Sequence, residues 1–475
     1  MTKLMVPRSI RILPLAGAIL LAGCSSLAPD YARPTLPLTD ELQNQSVADS
    51  QGLSNQQAMQ LPWQSFIKEA RLTQVIELAL SNNRSLRQTL ADVEAARASY
   101  RIQRADLLPQ LNAGLSGTRS ESSGTISSSY EAEVGLSGYE IDLFGKNRSL
   151  SDAQMEAYLA SEATAKAAKI TLISEIANAW LTLAADQSAL QLANETQRNA
   201  KQALAITQQR LTLGVDSQID MVSAETVYHS ARADIALYTT QVAQDLNALR
   251  LLVGEHVDSS LLPHALPDSD ALVTDVPAGL SSAVLLQRPD VLAAEHSLKS
   301  ANANIGVARA AYFPSLSLTT TGGIASTVLG DLFSGGASSI WTIAPSLSLP
   351  IFDGGANDAG LAYSEAQQRK SLAAYEYAIQ TAFKEVTDAL ARRATIQAQL
   401  NAQEALVASA NRHYALSLAR YENGVDSFQN TLEAQRTLYS AQQALISTRQ
   451  TDLDNRITLY RVLGGGLAES DTTQG

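Results

Sequence analysis

Two periods of hydrophobic and polar residues run along this chain. From about Arg148 to Leu213, and again from Leu361 to Asn423, neither Gly nor Pro occurs, and the spacing predicts two very long helices. Each would extend about 100 Å at 1.5 Å per residue. In the first run Ile173, Ile176, Trp180, Leu183, Leu190, Leu204 and Leu211 fall on heptad a/d spacing. The gaps at Gln187, Asn194, Gln197 and Lys201 are polar, so this is no simple leucine zipper. Abundant Ala elsewhere lets neighbours approach on more than one face, which suits a helical wall. Shorter Ala- and Leu-rich runs at 66–104 and 285–311 predict further helices, each stopping before a Pro-bearing segment.

Between the helices the period changes to two, which predicts strands at Gln110–Thr118, Tyr130–Tyr139, Ser315–Gly323 and Ile340–Ile351. One face carries Leu115, Ala132, Val134, Leu136, Leu318, Trp341, Ile343 and Leu347; the other carries Ser116, Glu131, Glu133, Ser317 and Thr319. Ser- and Gly-rich tips at 119–129 and 325–339 read as hairpin loops. Each strand is about ten residues, enough for a tilted strand to cross a bilayer. The apolar faces are too thin for a good soluble core, which disfavours a soluble sheet capped by helices. Four strands cannot close a barrel alone, and open edges are not tolerated in lipid. Three copies of four would close one barrel of twelve.

The two halves are copies. Arg210-Leu-Thr-Leu-Gly214-Val215-Asp216-Ser217 recurs 210 residues later as Arg420-Tyr-Glu-Asn-Gly424-Val425-Asp426-Ser427. Upstream, Arg104-Ala-Asp-Leu-Leu-Pro109 resembles Arg309-Ala-Ala-Tyr-Phe-Pro314. Each copy reads helix, two strands, long helix, helix.

Composition narrows the classes. Among 475 residues, Lys plus Arg number 35 and Asp plus Glu 47, a net charge of −12 with 5% aromatics, which does not suit nucleic-acid binding. One Cys and five His, without metal spacing, argue against a zinc or iron–sulfur site, and no cofactor is expected. No nucleophile, acid and base converge on an enzymatic pattern; Asp353-Gly-Gly lacks the Gly-Lys-Ser/Thr ending of a phosphate loop. At the N-terminus, Lys3, Arg8 and Arg11 precede the apolar run Ile12–Leu21, the secretory pattern. Leu21-Ala-Gly-Cys24 then resembles a bacterial lipobox, which makes Cys24 the lipid-attachment site; Ser25 after it is similar to lipoproteins sent to the outer membrane. The expected segmentation is a signal peptide at 1–23, a lipid-linked segment at 24–62, a first repeat at 63–265, a linker at 266–284, a second repeat at 285–466 and a polar tail at 467–475.

Further segments carry a family resemblance: Pro62-Trp63-Gln-Ser-Phe66, Ala79-Leu-Ser-Asn82-Asn83, Tyr139-Glu140-Ile-Asp142-Leu-Phe144-Gly145-Lys146, Arg288-Pro289-Asp290-Val-Leu-Ala-Ala-Glu295, Gly306-Val-Ala-Arg309, Phe313-Pro314 and Pro350-Ile-Phe352-Asp353-Gly354-Gly355. In this order, with the duplication and the lipobox, the mature chain resembles the TolC-like outer-membrane efflux proteins, in their lipoprotein branch. The resemblance implies a mainly α fold with membrane β. In it, long coiled-coil helices form a periplasmic α-barrel, and four strands per chain enter a trimeric twelve-stranded β-barrel. It implies a homotrimeric passive exit duct in the outer membrane that exports small toxic compounds or drugs, working with a periplasmic adaptor and an inner-membrane pump. The alternative class is a lipid-anchored coiled-coil scaffold or adhesin, against which the four matched strands count.

The Gly-Val-Asp-Ser turns join long helix to shorter helix. Locally, Gly214 and Gly424 are expected as left-handed residues past the helix end, with Asp or Ser capping the next helix; Ser217 and Asp220 have capping-box spacing. The resemblance gives these tips, Gly214 to Ser217 and Gly424 to Ser427, a second role as adaptor contacts. It also places a periplasmic gate at Asp426, Glu433 and Arg436.

Overall fold

The computed structural model describes residues 26–34, 62–274 and 282–465. Cys24 and the signal peptide therefore lie outside the described residues, as does the tail from 466 onward. In chain order come α1 (Ala70–Asn82), α2 (Arg84–Ala105), β1 (Asn112–Ser122), β2 (Thr125–Ile141), α3 (Lys146–Thr212), α4 (Gln218–Val253), α5 (Pro289–Ala310), β3 (Ser315–Ser326), β4 (Ser338–Ser348), α6 (Ala356–Glu422) and α7 (Phe428–Val462). The long helices α3 and α6 are each 67 residues. The chain divides into two compact units, and each draws segments from both copies of the duplication.

The first unit holds the described part of Met1–Pro37 with Ala91–Ala163 and Leu292–Tyr377. Its centre is a four-stranded antiparallel sheet in the order β1-β2-β3-β4. The expected loop at 119–129 is instead almost all strand, because the turn needs only Ser123 and Gly124. Both take positive φ, 52° and 81°, the two-residue geometry whose twist matches a hairpin. The second tip does form a longer loop, with one helical turn at Asp331–Ser334. Phe144 after β2 stacks on Phe313 before β3, ring centroids 4.6 Å apart, and ties the sheet base together.

The second unit holds the described residues of Leu38–Leu90, Thr164–Val291 and Ala378–Gly475. The run read as one helix over 66–104 is broken. A helical turn at Trp63–Phe66 precedes α1, and Asn83 separates α1 from α2 by turning its side chain to the backbone. Asn83 Oδ1 accepts from the Leu86 N–H at 2.7 Å, and its Nδ2 donates to the Leu252 carbonyl at 2.6 Å. Gly254, at φ 77°, ends α4 hard against Asn82, where a Cβ would meet the Asn82 carbonyl oxygen at 2.6 Å. The inner face of α1 buries Leu72, Val75 and Ile76 completely, each worth about 1.5–3 kcal/mol. Trp180 is fully buried and donates its indole N–H to the Leu261 carbonyl at 3.1 Å. Arg288 donates to the Val462 carbonyl and pairs with Asp290 and Glu385, each at 2.7 Å, which pins the start of α5 to α6 and α7.

The heptad seam on α3 is buried at Ile173, Ile176, Trp180 and Leu183, then passes to Ala185, Ala189, Ala193 and Ala200. A straight helix turns 3.6 residues per turn, so its buried face drifts off a 3.5-residue repeat. Small Ala side chains take over where neighbouring helices approach.

Candidate functional site

The sheet sorts its side chains as the alternation requires. Cross-strand partners share a face, and the register aligns Ala113, Val134, Gly322 and Trp341 in one row and Leu136, Thr320 and Ile343 in another. Leu115, Val134, Trp341, Ile343 and Leu347 on that face are all exposed in the single chain. The opposite face aligns Ser116 with Glu131 and Ala325, and Glu140 with Ser317 and Ser346. One residue breaks the period: between Leu136 and Tyr139, β2 has an extra residue relative to β3. Gly138, at φ 66°, forms this bulge, and its N–H donates to Thr319 Oγ1 at 3.0 Å. The bulge returns Tyr139 and Ile141 to the apolar face opposite Leu318 and Leu316. β1 and β4 each have one edge without a strand partner among the described residues. No described helix is long and apolar enough to cross a membrane.

The two helix-turn tips lie in the second unit. After α3, Gly214 takes φ 73°, and the Val215 N–H returns to the Arg210 carbonyl at 2.9 Å; after α6, Gly424 takes φ 72°, and Val425 returns to Arg420 at 2.9 Å. Ser217 and Asp220 form the expected capping box on α4. Ser427 begins α7 without a side-chain cap, and Asn430 stands where Asp220 stands in the first copy.

Neither Asp216 nor Asp426 caps a helix. Asp216 pairs with Arg210 at 3.1 Å, and Asp426 pairs with Arg420 at 2.5 Å. The Arg420 hydrogen bond holds the Asp426 carboxyl below the usual range. The two copies then differ. The Asp216 side chain is 7% exposed and also accepts from the Tyr421 hydroxyl, whereas that of Asp426 is 25% exposed. Tyr421 also lies under the Arg210 guanidinium, 4.6 Å from ring centroid to Cζ, and packs beside Phe428 and Leu432. Burial and Asp216 push its phenol up to about 12.

Glu433 and Arg436 are exposed on the first turns of α7, and among the described residues no ion pair joins them to Asp426. Sequence reasoning thus missed Arg210, Arg420 and Tyr421. The signal was present, since an Arg stands six residues before the Asp in both copies.

A four-stranded sheet with one apolar and one polar face, set in one chain with very long duplicated helices, defines an outer-membrane channel subunit. The chain matches the family described as outer membrane efflux protein over residues 75–255 and again over 280–465, and it belongs to that family. It is similar to the toluene efflux pump outer membrane protein TtgC of Pseudomonas putida, 42% identical over 460 residues, covering 95% of this chain and 94% of the relative. It is similar to outer membrane protein OprJ of Pseudomonas aeruginosa, 41% identical over 463 residues, 95% and 96% of the two chains. The open state of the MtrE outer membrane channel of Neisseria gonorrhoeae shares its fold at a TM-score of 0.85 and 37% identity, over 93% of this chain and 99% of that one. The chain is accordingly an outer-membrane component of an efflux pump, in a family of transport ducts rather than enzymes.

Proposed function

We propose that three copies of this chain close one twelve-stranded barrel and act as a passive exit duct, joined to a periplasmic adaptor and an inner-membrane pump. The observation that carries this reading is the open sheet: four strands whose two outer edges have no strand partner among the described residues, an exposed apolar face and a polar face. An isolated sheet of this kind is unsatisfied in lipid, and pairing β1 of one copy with β4 of the next satisfies it. One relative is named for toluene efflux; small hydrophobic toxic compounds are proposed as the cargo here. Cys24 is proposed to carry the acyl anchor. The tips Gly214–Ser217 and Gly424–Ser427 are proposed as adaptor contacts. Asp426, Glu433 and Arg436 are proposed as the gate, Asp426 through its Arg420 pair and the other two as exposed groups within reach of neighbouring copies.

A strain lacking this protein, tested with solvents, antibiotics, dyes and detergents, should become susceptible to a subset and regain resistance on complementation. Deletion of the partner pump should reproduce that subset. Unchanged susceptibility across the panel, with the protein present at normal level in the parent, would refute the export role.

A further inference from the structure

The motifs Glu295 and Gly306-Val-Ala-Arg309 play no part in the duct as described, yet α5 presents them in one line. Glu295, Lys299, Asn302, Gly306 and Arg309 recur at spacings of four, three, four and three, which keeps them on one helix face. Along that face, within the first unit, lies the extended segment 26–34. It runs antiparallel to α5. Arg309 donates to the Leu27 carbonyl at 3.2 Å, and Asn302 donates to the Pro29 carbonyl at 2.7 Å. Between them Ala28 crosses Gly306 so closely that a Cβ there would meet the Ala28 nitrogen at 2.7 Å. Lys299 lies over the Tyr31 ring, 5.3 Å from its centroid. At the far end Arg33 grips Glu295 with two hydrogen bonds, at 3.2 and 2.6 Å, and the Tyr31 hydroxyl adds a third at 3.3 Å.

The lengths match. The fourteen helical steps from Glu295 to Arg309 rise about 21 Å, and the six extended steps from Leu27 to Arg33 span about 20 Å. Glu295 is 3% exposed, and besides Tyr31 and Arg33 only Lys299, at 3.3 Å, pairs with it among the described residues. A buried carboxylate left with one partner is costly, so the site favours the docked segment.

We propose that this face of α5 is a receptor for the chain's own segment 26–34, with Glu295 as the latch that holds it. Arg309 stands six residues before β3 begins, so the docked segment fixes its leading end beside the base of the sheet. Cys24 stands only three peptide links before Leu27, a reach of about 10 Å. The latch therefore sets how far from the sheet base a lipid on that residue can sit. This last consequence rests on the acylation proposed above.

The test is chymotrypsin cleavage of the Tyr31–Ala32 bond in the full-length protein purified in mild detergent. Arg33→Ala and Glu295→Gln should each speed this cut at least about tenfold while far-UV circular dichroism and assembly state stay as in the wild type. The double variant should be no faster than the faster single variant, because both remove one interaction. Ser297→Ala, off the stripe on the same helix, should cut at the wild-type rate. Equal cleavage in wild type and both latch variants would overturn the proposal, and so would effects that multiply in the double variant. The mass of the released peptide reports separately whether Cys24 is acylated, so an unmodified Cys24 removes the anchor reading and leaves the receptor standing.

Discussion

Tyr421, in the last full turn of α6, donates its hydroxyl hydrogen to Asp216 in the turn that follows α3. The bond joins equivalent tips of the two copies and uses a carboxylate already paired with Arg210. On the helices that follow the two tips, Tyr439 of α7 donates to Asp234 of α4 at 3.0 Å, and Gln443 of α7 donates to the Tyr238 hydroxyl of α4 at 3.1 Å. One edge of α7 is thus fastened to α4 by spaced polar bonds. The tip of the second copy carries its charge pair farther into solvent, where contact with other copies can form.

The gate proposal predicts the behaviour of two carboxylates. Contacts made only in the closed state set the closed population. Asp426→Ala with Glu433→Ala should raise the open fraction in planar bilayers by about an order of magnitude. Asp220→Ala, which removes only a capping interaction, is the appropriate control. Asp216 is not one, because Tyr421 couples it to the second copy. Equal conductance for the double variant and the wild type would reduce Asp426 and Glu433 to surface charges.

The facing of the sheet predicts asymmetric tolerance of charge. Val134→Arg should cost roughly 2–4 kcal/mol per chain if that position lies near the bilayer midplane, while Ser116→Arg should assemble normally. Heat-modifiable bands in outer-membrane fractions read the assembled form. The reverse pattern would invert the facing.

The bulge predicts a local cost. Gly138→Val places a β-branched residue at φ 66°, which should cost about 1–3 kcal/mol. Thr319→Val removes the acceptor for the Gly138 N–H and should cost about 1 kcal/mol. Thermal stability of the detergent-purified protein measures both, and a neutral Gly138→Val would mean that β2 can shed its extra residue.

Two carboxyls predict a pH dependence. Burial, with Asp186 adding to it, pushes Asp245 up to about 6, and burial alone pushes Asp454 up to about 6. A folded value above the unfolded one means that the folded state holds its proton longer. The penalty is absent below the unfolded range near 4, grows as pH rises and is complete above about 6. Asp245→Asn and Asp454→Asn should therefore each stabilise at pH 7.5 by on the order of 1 kcal/mol after screening, and lose that advantage at pH 4. Melting curves at the two pH values decide it; a gain that does not change with pH would mean that the carboxyls are not titrating there.

Much of this protein was legible in its residues. The long helices follow from runs without Gly or Pro, and the two faces of the sheet follow from alternation outside the Gly138 bulge, because both depend on periods that a linear sequence displays. The Gly214 and Gly424 turns were legible because a left-handed residue at a helix end selects Gly. Tertiary structure alone decided what depends on residues far apart in the chain. The Gly138 bulge needs β3 alongside to show that one residue is extra. Tyr421 reads as an ordinary helix residue until α6 brings it 205 positions back to Asp216. The stripe from Glu295 to Arg309 is mostly polar and reads as a solvated helix face. Segment 26–34 has no period of its own, so only packing could show that each completes the other.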